Sequence, residues 1–332
     1  MINTHLKKIY RTSNYNFDRS KYLRLDRNER TIPFNKKILK DLKNYISNSI
    51  VQSYPITTDN LRNLISQKEK ISTKYINIVP GSDGAIKYIF ESFFGNKKKV
   101  ITSIHPTYGM IDVYSRIYNY KIVKVKENTS GQKINNFFIK KSLFIYIANP
   151  NQPSGKSIDL IDILKIIKKA KKNGTYVVID EAYIDFSKFK SVASLVLKFN
   201  NLIILKSLSK SFGIAGLRVG YIIANSEVNK TLNVVRSPYD ISSFSIKVAE
   251  YFLKNLYISR AFIKQINDTK KFLIKECIKR RLKFENTQTN FFYIMIPGSQ
   301  IKKIHNFMFK NKILIRSNYL GSFKNFKNTI RV

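Results

Sequence analysis

Between residues 100 and 224 the chain repeats one pattern, a short run of β-branched and other apolar residues followed by a stretch with different spacing. The runs are VITSI (100–104), KIVKV (121–125), SLFIYIA (142–148), TYVVID (175–180), NLIILKS (201–207) and VGYIIA (219–224). They are short and do not alternate strictly, which fits strands buried on both faces. Residues 84–94 and 158–173 carry apolar positions at helical spacing. Strands joined through helices need crossovers, so the sheet is mostly parallel and the fold class is α/β. The pattern changes after about residue 240. A long amphipathic segment (241–282) precedes a short strand FFYIMI (291–296), a helix near 300–311 and a final strand ILIR (313–316), which reads as a smaller α+β lobe. Residues 36–48 also have a helical period, whereas 1–35 are polar and irregular and fit that smaller lobe better than the sheet.

Charge is the extreme compositional number. Sixty Lys and Arg face 21 Asp and Glu, for a formal net charge of +39. Such an excess raises nucleic acid or an anionic membrane surface as partners. Only 14 of the 60 bases are Arg, however, and the lysines are scattered from Lys7 to Lys327. There is no dominant basic tract and no helix-turn-helix, RRM or OB pattern, so the excess reads as a solvated coat. A single cysteine, Cys277, excludes an internal disulfide framework and a cysteine-based zinc site. His5, His105 and His305 lack metal-ligand spacing. The opening residues show no apolar core of a secretory signal, and no apolar run approaches the length that spans a bilayer. The expectation is a cytoplasmic protein with no membrane partner.

Five segments carry chemistry. In LKSLSKSFGIAGLRVGY (205–221) a strand ends in Ser-x-Ser-Lys, with Arg218 eight residues after Lys210. Two hydroxyls and a guanidinium around an amine make an anion site beside a nucleophile able to form a Schiff base with an aldehyde cofactor. In YVVIDEAYIDF (176–186) a buried strand delivers Asp180 at its C-terminal end, where α/β ligands bind. A pyridinium N–H would satisfy that carboxylate, and Tyr183 lies within reach of the same ring. Taken alone, Asp180-Glu181 equally fits a magnesium site, although no G-x-x-x-x-G-K-[ST] loop accompanies it. PGSDGAI (80–86) opens a helix whose free N–H groups suit a phosphate. HPTYGM (105–110) offers Tyr108 for stacking on a flat ring, and His105 reads as structural. ANPNQPSG (148–155) is a strand-ending turn with amides available to a ligand.

In this order the five segments resemble the fold type I pyridoxal-phosphate aminotransferases, within the histidinol-phosphate aminotransferase-like group that includes threonine-phosphate decarboxylases. The resemblance runs from RLDRNER (24–30) to NTIRV (328–332). It implies a large domain with a mostly parallel seven-stranded sheet between helices, plus a smaller α+β domain. The implied boundaries are an N-terminal arm at 1–40 joining the small domain, a cofactor domain at 41–235 and a substrate domain at 236–332. It implies pyridoxal 5′-phosphate bound through a Schiff base to Lys210, which later shuttles the proton. Asp180 would pair the pyridine nitrogen, Tyr183 would meet the phenolic oxygen and Tyr108 would stack on the ring. Gly81, Ser82 and Asp83, with Ser207, Ser209 and Arg218, would cradle the phosphate. Tyr54, in SYP, resembles a tyrosine lent across a homodimer to the partner's cofactor.

At the substrate end the resemblance implies roles for Asn28 and for Asn290, in TNFF, and for Arg316 and Arg331, one arginine for a carboxylate and one for a substrate phosphate. Three departures stand out. Gln152 occupies the place of the usual asparagine, with Asn151 as an alternative partner for the phenolic oxygen. Ser207 replaces a threonine. The sequence stops one residue after Arg331. The implied reaction moves an amino group between glutamate and a small phosphorylated ketone, such as imidazole-acetol phosphate or dihydroxyacetone phosphate. The alternative inside the group is decarboxylation of phosphoserine or phosphothreonine. A basic nucleic-acid-binding protein is the alternative of a different class.

Overall fold

A computed structural model describes residues 4–9, 17–55, 57–93, 95–127, 136–317 and 328–332, so residues 1–3 and 10–16 of the irregular opening segment lie outside it. In chain order come β1 (Leu23–Arg24), α1 (Lys36–Lys43), α2 (Asn48–Gln52), α3 (Asp59–Glu69), β2 (Ile76–Val79), α4 (Gly81–Ser92), β3 (Val100–His105) and α5 (Met110–Ile117). Then follow β4 (Lys121–Lys126), α6 (Asn136–Lys141), β5 (Phe144–Ala148), α7 (Leu160–Lys172), β6 (Tyr176–Asp180), β7 (Leu202–Ser207), β8 (Gly220–Ala224) and α8 (Ser226–Val235). The last elements are α9 (Ser243–Lys254), α10 (Leu256–Lys279), β9 (Phe284–Glu285), β10 (Tyr293–Met295), α11 (Gly298–Lys310), β11 (Ile313–Leu314), β12 (Arg316–Ser317) and β13 (Thr329–Arg331).

Seven strands form one sheet in the order β2-β8-β7-β6-β5-β3-β4. β8 runs antiparallel to both of its neighbours, and every other adjacent pair is parallel. The apolar runs are explained by burial on both faces. β7 and β8 are buried along their whole length. One face packs against a cluster containing Ile147, Ile179, Ile204 and Phe252, and the other against Phe90, Phe144, Tyr146 and Leu205. Side chains cap several helices: Asn35 accepts from the Ile38 N–H, Asp159 from the Asp162 N–H and Ser242 from the Ser245 N–H.

The smaller sheet has the order β12-β13-β10-β9, and β1 pairs separately with β11. The structure therefore divides the expected strand ILIR. Ile313 and Leu314 pair with the N-terminal segment, whereas Arg316 and Ser317 pair with β13. The expected amphipathic segment 241–282 is two helices. Asn255 breaks it, because both its backbone N–H and its side-chain amide donate to the Tyr251 carbonyl, ending α9. The helical period over 36–48 likewise stops at Lys43. A third cluster, of Tyr183, Phe186, Phe262, Phe291 and Tyr293, joins the loop after β6 to α10 and the small sheet.

Candidate active site

Parallel strands bring their C-terminal ends to one edge of a sheet. Here Ala148 of β5, Asp180 of β6 and Ser207 of β7 line a cleft of about 130 Å³, partly open to solvent. Ser82, Asp83, Tyr108, Gln152, Tyr183, Ser209, Lys210 and Arg218 line it as well. Of the expected cofactor residues, Gly81 lies just behind this lining and Tyr54 is elsewhere on the surface.

Asp180 is almost fully buried. Its Oδ2 accepts from the Tyr146 hydroxyl at 2.8 Å and its Oδ1 from the Ala182 N–H at 3.0 Å. Burial pushes its carboxyl up from the ordinary value, while these hydrogen bonds oppose the rise. A positively charged N–H arriving in the cleft would supply the partner the carboxylate lacks. Tyr183 donates from its hydroxyl to Gln152 Oε1 at 3.1 Å and accepts from Asn28 Nδ2 at 2.9 Å. Lys210 Nζ donates to the carbonyls of Arg27 and Asn28, at 3.3 and 3.2 Å, and lies 5.6 Å from the centre of the Tyr183 ring. Burial, then the neighbouring Asp83 charge, pushes the Tyr108 phenol far up, so it presents a neutral ring to the cleft.

The alternative partner Asn151 is turned away. Its Nδ2 donates to the Pro106 carbonyl at 2.7 Å and to Glu127 Oε1 at 2.8 Å, so Gln152 is the amide at the cleft. Asp180 and Glu181 do not converge on a metal. Glu181 points to Lys206 at 2.9 Å, and no cluster of three metal-ligating side chains occurs among the described residues. His105 lies at the end of β3, and burial pushes its imidazole down, in keeping with a structural role.

At the N-terminus of α4, Gly81 adopts φ +75°, and a Cβ there would stand 2.9 Å from Arg218 Nη2. Glycine is thus favoured by the backbone conformation, and a side chain there would also push the Arg218 guanidinium aside. Arg218 itself has φ +56° and donates to the Ala215 carbonyl at 3.1 Å and to Ser209 Oγ at 3.5 Å. Ser207 Oγ accepts from the Ser209 N–H at 3.2 Å. Helix N–H groups, two hydroxyls and a guanidinium around one space suit a phosphate. Asp83 Oδ1 and Asn28 Oδ1 are buried with no hydrogen-bond partner among the described residues, which a ligand with its own donors can satisfy.

The segment after β1 links the two lobes. The Asp26 carbonyl accepts from Arg331 Nη2 at 2.7 Å, and the Asn28 carbonyl accepts from Asn290 Nδ2 at 3.1 Å as well as from Lys210. Arg331 is buried, with its guanidinium 5.2 Å from the centre of the Phe291 ring. Arg316 stands directly opposite Arg331 in the β12–β13 register, on the same face.

Sequence reasoning passed over several supporting residues. Tyr146 anchors Asp180 and betrays itself only as a hydroxyl inside an apolar run. Lys206, a cation inside NLIILKS, is buried and meets Glu181 at 2.9 Å and Glu69 at 3.5 Å. The Tyr221 hydroxyl donates to Glu69 at 2.7 Å, so this cluster ties α3 to β7 and β8 and to the end of β6. Asp185 accepts from the Ser211 hydroxyl at 2.5 Å, fixing the turn immediately after Lys210. Lys270 is held by backbone carbonyls below the substrate side.

The family profile described as aminotransferase class I and II matches residues 15–332. The chain belongs to this family. A histidinol-phosphate aminotransferase of Caldanaerobacter subterraneus subsp. tengcongensis is 31% identical over 96% of this chain and 90% of that protein. Among solved structures, a histidinol-phosphate aminotransferase from Sinorhizobium meliloti in complex with pyridoxal-5′-phosphate matches with a TM-score of 0.82, 17% identity and coverage of 93% and 85%. L-threonine-O-3-phosphate decarboxylase from Porphyromonas gingivalis matches with a TM-score of 0.79, 19% identity and 93% coverage of both chains. These aminotransferases are fold type I enzymes, and this one takes pyridoxal 5′-phosphate as cofactor and an amino acid or keto acid as substrate. The phosphate cradle, the buried carboxylate and the cleft-facing lysine fit that cofactor. No helix among the described residues is long and apolar enough to cross a membrane.

Proposed function

We propose that this aminotransferase works between glutamate and a small phosphorylated ketone, of the imidazole-acetol phosphate or dihydroxyacetone phosphate kind, as a cytoplasmic homodimer. The observation that carries the substrate class is the cross-strand pair Arg316–Arg331. Like charges directly opposite in a sheet destabilise it. A dianionic substrate group would give both guanidiniums a common partner and can be held bidentately. Relatives named for histidinol phosphate support the same class.

Pyridoxal 5′-phosphate, when bound, supplies the electron sink for a carbanion at the substrate Cα. The protein's own part is positional and acid–base. Arg218, Ser207, Ser209 and the N–H groups of Ser82 and Asp83 bind the phosphate. Asp180, itself held by Tyr146, would keep a proton on the ring nitrogen. Tyr183, set by Asn28 and Gln152, would meet the phenolic oxygen, and Tyr108 in the cleft lining would stack on the ring. Lys210 Nζ would take up the substrate Cα proton and hold it for return on the far side of the reacting nitrogen. Asn290 and the two arginines hold the substrate. Tyr54, 75% exposed and stacked on Tyr239 at 4.6 Å, is available to a partner protomer's cofactor phosphate. This reading takes 41–235 as the large domain and 236–332 as the small one, with the arm 1–40 reaching the latter through β1–β11 pairing, while Ile246 and Phe252 of α9 pack in the core of the large sheet.

The same arginine pair suits an O-phospho-amino acid, and the fold is shared with a threonine-phosphate decarboxylase. Incubating the loaded enzyme with glutamate plus each phospho-ketone, and separately with phosphothreonine and phosphoserine, separates the two. Release of 2-oxoglutarate supports transamination, whereas CO₂ release without 2-oxoglutarate overturns it.

A further inference from the structure

We propose that Lys270 is a positioning residue for substrate binding, acting through the turn that carries Asn290. This rests on the reading above, in which Asn290 and Lys210 converge on the Asn28 carbonyl. Lys270 lies on α10, nine-tenths buried, and its Nζ donates to the carbonyls of Thr287 and of Thr289, the latter at 3.0 Å. No carboxylate pairs with it among the described residues, and burial pushes its amine down to about 8. An amine buried against neutral carbonyls is a poor stabilising device, and aliphatic packing would serve a core better. What it does supply is two donors that close one turn.

The closed turn is coupled to the site on three sides. Inside it, Thr287 Oγ1 donates to the Phe291 carbonyl, and Thr289 Oγ1 accepts from the Phe291 N–H at 3.3 Å. Toward the cofactor side, the Gln288 N–H donates to the Gly155 carbonyl at 2.7 Å, in the turn that carries Gln152. A Cβ on Gly155 would stand only 2.3 Å from Thr287 Cβ, so the two turns are in direct contact. Toward the substrate side, Asn290 Nδ2 reaches the Asn28 carbonyl at 3.1 Å, the atom that also accepts from Lys210 Nζ. Loss of the Lys270 donors frees the Thr287–Phe291 turn and lets Asn290 leave that carbonyl.

The test uses the pyridoxal-phosphate-loaded enzyme and the variants Lys270→Met, Lys270→Arg and Thr287→Val. Lys270→Met keeps the length and removes the donors. It is expected to raise KM for the amino-acid substrate about ten- to a hundredfold, with a smaller change in kcat and unaltered cofactor absorbance. Hydrogen exchange at the amides of Gln288, Thr289 and Phe291 is expected to quicken in the same variant. Lys270→Arg, which retains donors, is expected to recover most of the KM. Thr287→Val loosens the same turn without touching Lys270 and is expected to raise KM in the same direction, which keeps the test decisive if Lys270→Met does not fold. Unchanged KM and exchange in Lys270→Met or Thr287→Val, or an arginine variant as impaired as the methionine one, would overturn the proposal. A Schiff-base absorbance that survives Lys210→Ala would instead refute the underlying site assignment.

Discussion

Replacing Glu69 with glutamine keeps the side chain's shape and removes one charge from the cluster formed with Lys206 and Glu181. Burial alone would push the Glu69 carboxyl up, but Lys206, then Lys68 and the hydrogen bonds from Lys68 and Tyr221, outweigh it and hold it at about 2 against an ordinary 4.5. The side chain is only 7% exposed, so solvent does little to screen these partners. That gap, at about 1.4 kcal/mol for each pH unit, corresponds to about 3 kcal/mol of stability at neutral pH. Lys206 keeps Glu181 in the variant, so the expected loss is about 2–3 kcal/mol, near the lower end for breaking a buried pair. Because the folded carboxyl titrates below its unfolded value, the contribution is complete above about pH 4.5 and fades as pH falls toward 2. Urea unfolding of the two proteins, followed by circular dichroism from pH 7 down to pH 3, reads both effects. A difference under about 1 kcal/mol at pH 7, or one that does not shrink between pH 5 and pH 3, would refute the reasoning.

Arg218→Ala removes the guanidinium beside Gly81 and is expected to weaken cofactor binding about ten- to a hundredfold, measured by spectrophotometric titration of the apoenzyme; unchanged affinity would remove Arg218 from the cradle. Asp180→Asn leaves the contact from Tyr146 in place but not the negative charge. Its kcat is expected to fall about a hundredfold or more with cofactor still loaded, and a near-wild-type kcat would dismiss its electrostatic role. Mixing Tyr54→Phe with Lys210→Ala tests the lending of Tyr54 across a dimer. Random exchange should create about a quarter of the wild-type number of intact sites, because only hybrid dimers unite Lys210 with a partner's tyrosine. No activity beyond that of the separate variants would place Tyr54 in its own protomer's site or outside any site.

The sheet was readable because a strand buried on both faces must be largely apolar, as β3 and β5 to β8 are, while the edge strand β4 still shows Ile122, Val123 and Val125 between exposed lysines. β2 escaped notice because INIV is short and carries Asn77 in its middle, and α3 because its apolar positions are outnumbered by polar ones. Lys210, Asp180 and Arg218 were legible from local context, a turn or a strand end that holds polar groups where ligands bind. The supports behind them were not. Tyr146 faces Asp180 only because β5 and β6 pair with Ala148 opposite Asp180, and Glu69 reaches Lys206 only after α3 folds against the sheet. Those contacts depend on register and packing between distant segments, which local spacing does not encode. The split of ILIR between two sheets has the same origin, since its partners lie at opposite ends of the chain.

The central claim is that Lys210, out of 46 lysines in the sequence, is the one that captures the cofactor aldehyde. Borohydride reduction of the pyridoxal-phosphate-loaded protein, followed by peptide mapping, tests it directly. The account predicts one phosphopyridoxyl group per chain, on Lys210, and none on the Lys210→Ala variant. A label on Lys206 or any other lysine, with Lys210 unmodified, would contradict it.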